Sequence, residues 1–257
     1  NGEWTYYHEN GQFHAQGRFI DGDGSNPSKS SGIPFNGRTG RWTSWHENGQ
    51  KEAEGTYKGG KRDGKWTMWH KDGQKKGEVT WKDEILIGKY EWWFEDGTKE
   101  WEYYFNDDGT RDYTKSTTRW YESGQKWYNG YIKTINDTTS EWNGLYTRWH
   151  ENGQKESEFN YKDGKEDGKG TTWYENGQKG FEGTYKDGEF DGISTWWYEN
   201  GNMREEGTYK NGELDGLETE WYENGQKEDE RTYKDGELNG KWTYWHENGQ
   251  KWQEGTW

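Results

Sequence analysis

The chain is 257 residues long, carries a formal net charge of −15 and contains 39 glycines, 2 prolines and no cysteine. Its apolar material is mostly aromatic, with 21 Trp, 19 Tyr and 8 Phe. These figures exclude a disulfide framework or a cysteine metal site, and a membrane-spanning helix, for which no apolar run is long enough. An acidic surface repels phosphate, which argues against nucleic acid and anionic lipid as partners.

The first predicted element is a hairpin turning at Asn10-Gly11, and its pentad, clearest as Trp45-His46-Glu47-Asn48-Gly49, returns in ten places. The pentad glycines are Gly11, Gly49, Gly73, Gly97, Gly124, Gly153, Gly177, Gly201, Gly225 and Gly249. Their spacings of 38, 24, 24, 27, 29, 24, 24, 24 and 24 give a 24-residue period, with insertions at about 21–39, 107–116 and 132–143 in links between hairpins. Such internal repetition decides the architecture before any other signal. Ten units fill residues 1–257 as a single repeat domain.

Asn-Gly between flanks rich in Trp, Tyr and Thr predicts a two-residue type I′ hairpin turn, with positive φ at both central residues. Each link, such as Lys186-Asp187-Gly188-Glu189-Phe190-Asp191-Gly192, reads as another turn. A two-residue turn fixes the pairing. In the second unit Trp42 faces Gly55 and Trp45 faces Glu52. Elsewhere the same rule pairs Trp4 with Gly17, Trp242 with Gly255, Trp92 with Trp101, Trp120 with Trp127, Trp245 with Trp252 and Glu218 with Arg231.

Alternation then sorts side chains by face. One face of the second unit holds Trp42, Ser44, His46, Lys51, Ala53, Gly55 and Tyr57, and is the more apolar. The other is hydrophilic apart from a row of rings: Tyr7, Trp45, Trp69, Trp93, Trp120, Trp149, Trp173, Trp197, Trp221 and Trp245. The predicted fold is all-β, an extended single-layer antiparallel β-meander of about ten tandem hairpins, twisted as a ribbon and lacking one thick core.

The unit Trp-Tyr-Glu-Asn-Gly-Gln-Lys followed by Glu-Gly-Thr-Tyr-Lys-Asp-Gly is clearest over Trp173 to Gly192, Trp197 to Gly216 and Trp221 to Gly240. It resembles the MORN repeat variant family of bacteria. The resemblance implies an extended hairpin repeat serving as a scaffold, a dimerisation surface or a lipid-adjacent module, and a non-catalytic role. Proteins of this kind are often labelled antitoxin-like. The strong acidity departs from any phosphoinositide-binding expectation.

Five of the six histidines (His8, His46, His70, His150 and His246) share one repeat position with Phe94, Tyr121, Tyr174, Tyr198 and Tyr222, which points to a structural part. His14 stands alone. No catalytic constellation or cofactor motif is present, so neither enzyme activity nor a cofactor is expected. Asp21-Gly-Asp23-Gly-Ser25 offers Asp21, Asp23 and Ser25 as calcium ligands but lacks the distal Glu of a full loop. The ring row, flanked by acids and amides, could instead take a polysaccharide.

The chain opens inside a link and closes where another would begin, which reads as a processed or truncated product. Its terminal sheet edges then invite self-association or a protein partner. The leading expectation is a non-enzymatic scaffold in an extracellular or cell-surface assembly or filament. The alternatives are a cytoplasmic antitoxin or immunity protein against a basic toxin, and glycan binding along the ring row.

Overall fold

A computed structural model describes residues 1–20, 33–34, 36–136 and 139–257, and contains strands and turns but no helix among them. The chain divides into two compact units, Asn1–Gly124 and Gln125–Trp257. The first unit comprises β1 (Gly2–Tyr7), β2 (Phe13–Phe19), β3 (Arg38–Trp45), β4 (Lys51–Lys58), β5 (Lys61–Arg62), β6 (Gly64–Trp69), β7 (Lys75–Lys82), β8 (Ile85–Trp93), β9 (Lys99–Phe105) and β10 (Thr117–Trp120). The second comprises β11 (Lys126–Asn136), β12 (Thr139–Trp149), β13 (Lys155–Lys162), β14 (Lys165–Trp173), β15 (Lys179–Lys186), β16 (Glu189–Phe190), β17 (Gly192–Trp197), β18 (Met203–Lys210), β19 (Glu213–Trp221), β20 (Lys227–Lys234), β21 (Glu237–Trp245) and β22 (Lys251–Thr256).

Within each unit successive strands pair antiparallel. The two-residue strands β5 and β16 are the first part of a longer strand, and β4 and β15 continue onto β6 and β17. The all-β meander expected from the repeat is what the chain adopts.

The turns differ from expectation in an informative way. At Asn48-Gly49 the Gly49 N–H donates to the His46 carbonyl at 2.9 Å and the His46 N–H donates to Gln50 at 2.8 Å. Only Gly49 has positive φ (84°). This is a three-residue loop, a type I turn closed by a left-handed glycine, and not a type I′ turn. The asparagine is chosen for its side chain, because Asn48 Oδ1 accepts from the Gln50 N–H at 3.1 Å. The two-residue turns lie in the links, where Asp187 (52°) and Gly188 (90°) both have positive φ.

The extra turn residue is compensated by a bulge one step further on. Trp45 therefore pairs with Lys51 and not with Glu52, while Ser44 still faces Ala53 and Trp42 still faces Gly55. Trp245 likewise pairs with Lys251, not with Trp252. The outer pairings survive: Trp4 with Gly17, Trp242 with Gly255, Trp92 with Trp101 and Glu218 with Arg231. Because the bulge adds a residue to one strand, Lys51 moves to the Trp45 face and Glu52 to the Trp42 face, the reverse of the sequence assignment.

Residues 132–136 and 139–143 lengthen a hairpin instead of forming only a loop, since Ile132 pairs with Trp142 and Lys133 with Glu141.

The Trp42 face is packed. In the first unit Phe19, Trp42 and Tyr57 are buried with Ala15 and Ile33, against Tyr6 and Trp66. Their rings meet edge to face, Phe19 to Trp42 at 5.0 Å, Trp42 to Tyr57 at 5.9 Å and Tyr57 to Trp66 at 5.1 Å. That geometry suits the aromatic quadrupole. In the second unit Phe190 sits between Tyr185 at 4.7 Å and Tyr209 at 5.1 Å, and Phe181 meets Trp196 at 5.1 Å. Trp42 lies on the bare backbone of Gly17 in the preceding hairpin, its indole N–H donating to the Arg18 carbonyl at 3.2 Å. Trp66 treats Gly55 and Thr56 in the same way.

Candidate functional site

Hairpins that carry His or Tyr, Asn and Gln near the turn reach one repeat forward through those three side chains. The histidine position donates from Nε2 to the carbonyl of the next ring-row Trp: His8 to Trp45 at 2.8 Å, His46 to Trp69 at 3.0 Å, His150 to Trp173 at 3.0 Å. Tyr174, Tyr198 and Tyr222 make the same bond by O–H to Trp197, Trp221 and Trp245 at 2.7, 2.8 and 2.9 Å. A donor at that height serves wherever the position is His or Tyr, which is why those two interchange; Phe94 has none to offer. The turn asparagine donates to a carbonyl of the next turn, as Asn176 does to Glu199 at 2.8 Å. The following glutamine lies against the next turn glycine, where a Cβ on Gly49 would meet Gln12 Oε1 at 3.0 Å.

The ring row proposed as a ligand platform is half-buried rather than open from Trp45 to Trp245, although Tyr7 is exposed. The lysines that the bulge moves onto this face fill its gaps. Lys51 stands 5.5 Å from the Trp69 ring, Lys75 4.5 Å from Trp93 and Lys99 5.3 Å from Trp120. In the second unit Lys126, Lys155, Lys179 and Lys227 stand 5.7, 5.4, 5.7 and 5.6 Å from Trp149, Trp173, Trp197 and Trp245. Phe13 takes that place before Trp45, at 5.6 Å. Apart from Lys126, each of these lysines is also tied to a glutamate three residues on, as Lys51 is to Glu54 at 2.9 Å and Lys179 to Glu182 at 2.6 Å. These lysines hold Glu54 and Glu182 below the usual carboxylate range, against the opposing pull of burial. Beneath this roof Thr147, Thr171, Thr195 and Thr219 are buried. A flat ligand lying between successive indoles would have to displace the lysines.

Two features escaped the sequence reading beyond the pairing of Glu218 with Arg231. On the Trp42 face of the second unit, Glu218, Glu220 and Asp229 converge on Arg231, at 3.1 Å for Glu218 and 2.8 Å for Asp229, with Glu220 in direct contact. Glu205 faces Glu220 from the neighbouring strand. Burial, reinforced by the neighbouring carboxylates, pushes Asp229 up to about 6 and raises Glu218 and Glu205. These positions hold Trp42, Ser44, Ala53 and Gly55 in the second hairpin. A signal was available, since a charged residue stands at each of them. The three carboxylates lie close enough together to hold a cation, but the guanidinium already occupies their centre.

The second feature is a cleft near the turns of the second unit, lined by His150, Tyr174, Gly180, Phe181, Trp196 and Arg204. It opens because the bulge position, Glu156 and Arg204 in the flanking hairpins, is Gly180 here. Glu175 and Glu199 stand on its rim, both exposed. Asp21, Asp23 and Ser25 lie outside the described residues.

A stack of hairpins locked by side chains that reach one repeat forward defines a β-hairpin repeat protein. The family model described as MORN repeat variant matches residues 1–21, 38–58, 62–83, 142–163, 166–187, 190–211, 214–235 and 238–257. That is more than half of the chain, which belongs to the MORN repeat variant family. The unmatched stretch 84–141 still contains the β8–β9 hairpin in the standard register, with Trp93 opposite Lys99. No curated protein matches the chain. Among solved structures it is similar to the crystal structure of TcdB2-TccC3-Cdc42, at 11% identity over 96% of this chain and with a TM-score of 0.23. The chain spans 15% of the length of that chain.

Proposed function

We propose that the protein is a non-catalytic repeat scaffold that binds a protein partner, and that the cleft over Gly180 receives a basic side chain from it. The observation that carries this reading is the missing side chain at Gly180, which leaves the rings of Tyr174, Phe181 and Trp196 as the walls of a recess. Aromatic walls with carboxylates at the rim suit an arginine or lysine, by cation–π contact and charge. The net charge of −15 favours the same partner by steering. A second reading, neutralisation of a basic toxin, draws on the exposed Glu175 and Glu199 and would use the same surface.

Fluorescence titration with arginine-rich and glutamate-rich peptides tests the proposal. The arginine-rich peptide should saturate, and Gly180→Lys, which fills the recess with the residue found at the matching Lys76, should abolish that binding without unfolding the chain. Equal binding of both peptides, or binding unchanged in G180K, would contradict it.

A further inference from the structure

Four groups at the turns of the first two hairpins face one pocket: His8, His14, His46 and Glu52. The His8 and His14 rings lie nearly parallel, with centroids 4.3 Å apart and an interplanar angle of 21°. Glu52 is near enough to act on His14 electrostatically. The bulge produces this meeting, because it turns both His14 and Glu52 onto the face that carries His8 and His46. The nominal alternation would have placed Glu52 on the opposite side of the sheet.

The hydrogen bonds leave these groups available. His8 and His46 each engage Nε2 with a backbone carbonyl, which fixes the tautomer with the proton on Nε2 and leaves the Nδ1 lone pair unshared. An imidazole anchored through one nitrogen to a carbonyl is the usual support of a metal-ligating histidine. Neither nitrogen of His14 and neither oxygen of Glu52 has a hydrogen bond or ion pair among the described residues. The repeat accounts for His8 and His46 as forward donors, but it gives His14 no structural task.

We propose that this pocket is a binding site for a divalent transition-metal ion of the zinc class, with His8 Nδ1, His14 and Glu52 as ligands and His46 Nδ1 beside them. Two or three imidazoles with one carboxylate match the preferences of Zn²⁺ and Co²⁺, and not those of calcium or magnesium, which take oxygen ligands. The ligand atoms do not converge as they stand; closing the set requires the His14 ring to turn out of its stack with His8 and Glu52 to swing toward it, and neither side chain has a hydrogen bond to break. The reading is independent of the proposed protein partner, whose cleft lies in the other unit.

Calorimetric titration of the full chain with zinc chloride tests it. One saturable site is expected, weakened roughly tenfold or more by His14→Gln and by Glu52→Gln, and unchanged by His246→Gln. Cobalt(II) should give a visible absorption band that disappears in H14Q. Glu52 is exposed, so E52Q reports on the site even if H14Q disturbs the hairpin. Absence of saturable zinc uptake, or uptake unaltered in both variants, overturns the assignment.

Discussion

At the scale of single residues, stability rests on what one hairpin lends the next. Gly55 has no positive φ to protect. It is glycine because a Cβ there would lie 2.2 Å from the Trp66 ring. Gly55→Ala should therefore lower stability by about 1–3 kcal/mol through overpacking, measured as a fall in the urea midpoint. Tyr174→Phe removes the O–H donated to Trp197 at 2.7 Å and should cost about 1 kcal/mol, read in the same way. The sequence showed that Trp stands opposite Gly, yet it could not show that Trp42, Trp66 and Trp92 cross to the preceding hairpin while Trp242 stays over the Gly255 of its own. Trp42 faces Gly55 in register but its ring rests on Gly17. Side-chain lean is decided by the neighbouring strand, and no local pattern encodes it.

At the scale of the hairpin, the turn and its bulge decide which chemistry each face carries. Asn-Gly was read correctly as a hairpin signal, but the loop is one residue longer than that dipeptide suggests. The compensating bulge is invisible to alternation. Its consequence is the lysine spacer between indoles. Met203 takes that place before Trp221, so the position tolerates an uncharged side chain. Lys179→Met should accordingly change stability by less than about 1 kcal/mol, because exposed ion pairs contribute little. A larger loss on chemical unfolding would make the column a stronger element than the structure indicates.

The carboxylates around Arg231 act in the opposite sense to a surface pair. Asp229 stands at about 6 in the folded chain, above its ordinary value. Below that ordinary value both states hold the proton and nothing is lost. As the pH rises through about 4 to 6 the unfolded chain ionises first, and folding stability falls. Glu218 and Glu205 are raised too and add to the fall. Glutamates held low by lysine, such as Glu182, lose their contribution only at lower pH. The urea midpoint should therefore be higher at pH 5 than at pH 7, and Asp229→Asn should flatten the difference. A midpoint that rises towards pH 7 would contradict this.

At the scale of the molecule, the forward bonds link nearest neighbours only. Energetic effects in hairpins that share no partner should then add. Combining Tyr174→Phe with Asn224→Ala, whose bonds go to Trp197 and to Glu247, should give the sum of the single losses within about 0.5 kcal/mol. The repeat, the meander and the outer register were legible in 257 residues because every unit restates them. The acidic cluster and the cleft were not, since each departs from the repeat at a few positions and acquires meaning only when three strands lie side by side.

The account depends on which side of the sheet each residue occupies. Nuclear Overhauser contacts from the Lys51 side chain are the most direct test. They should reach the indole of Trp69, and ring protons of Trp42 should reach the α-protons of Gly17. Contacts from Lys51 to Trp42 or Tyr57 would place it on the packed face and contradict the bulged register.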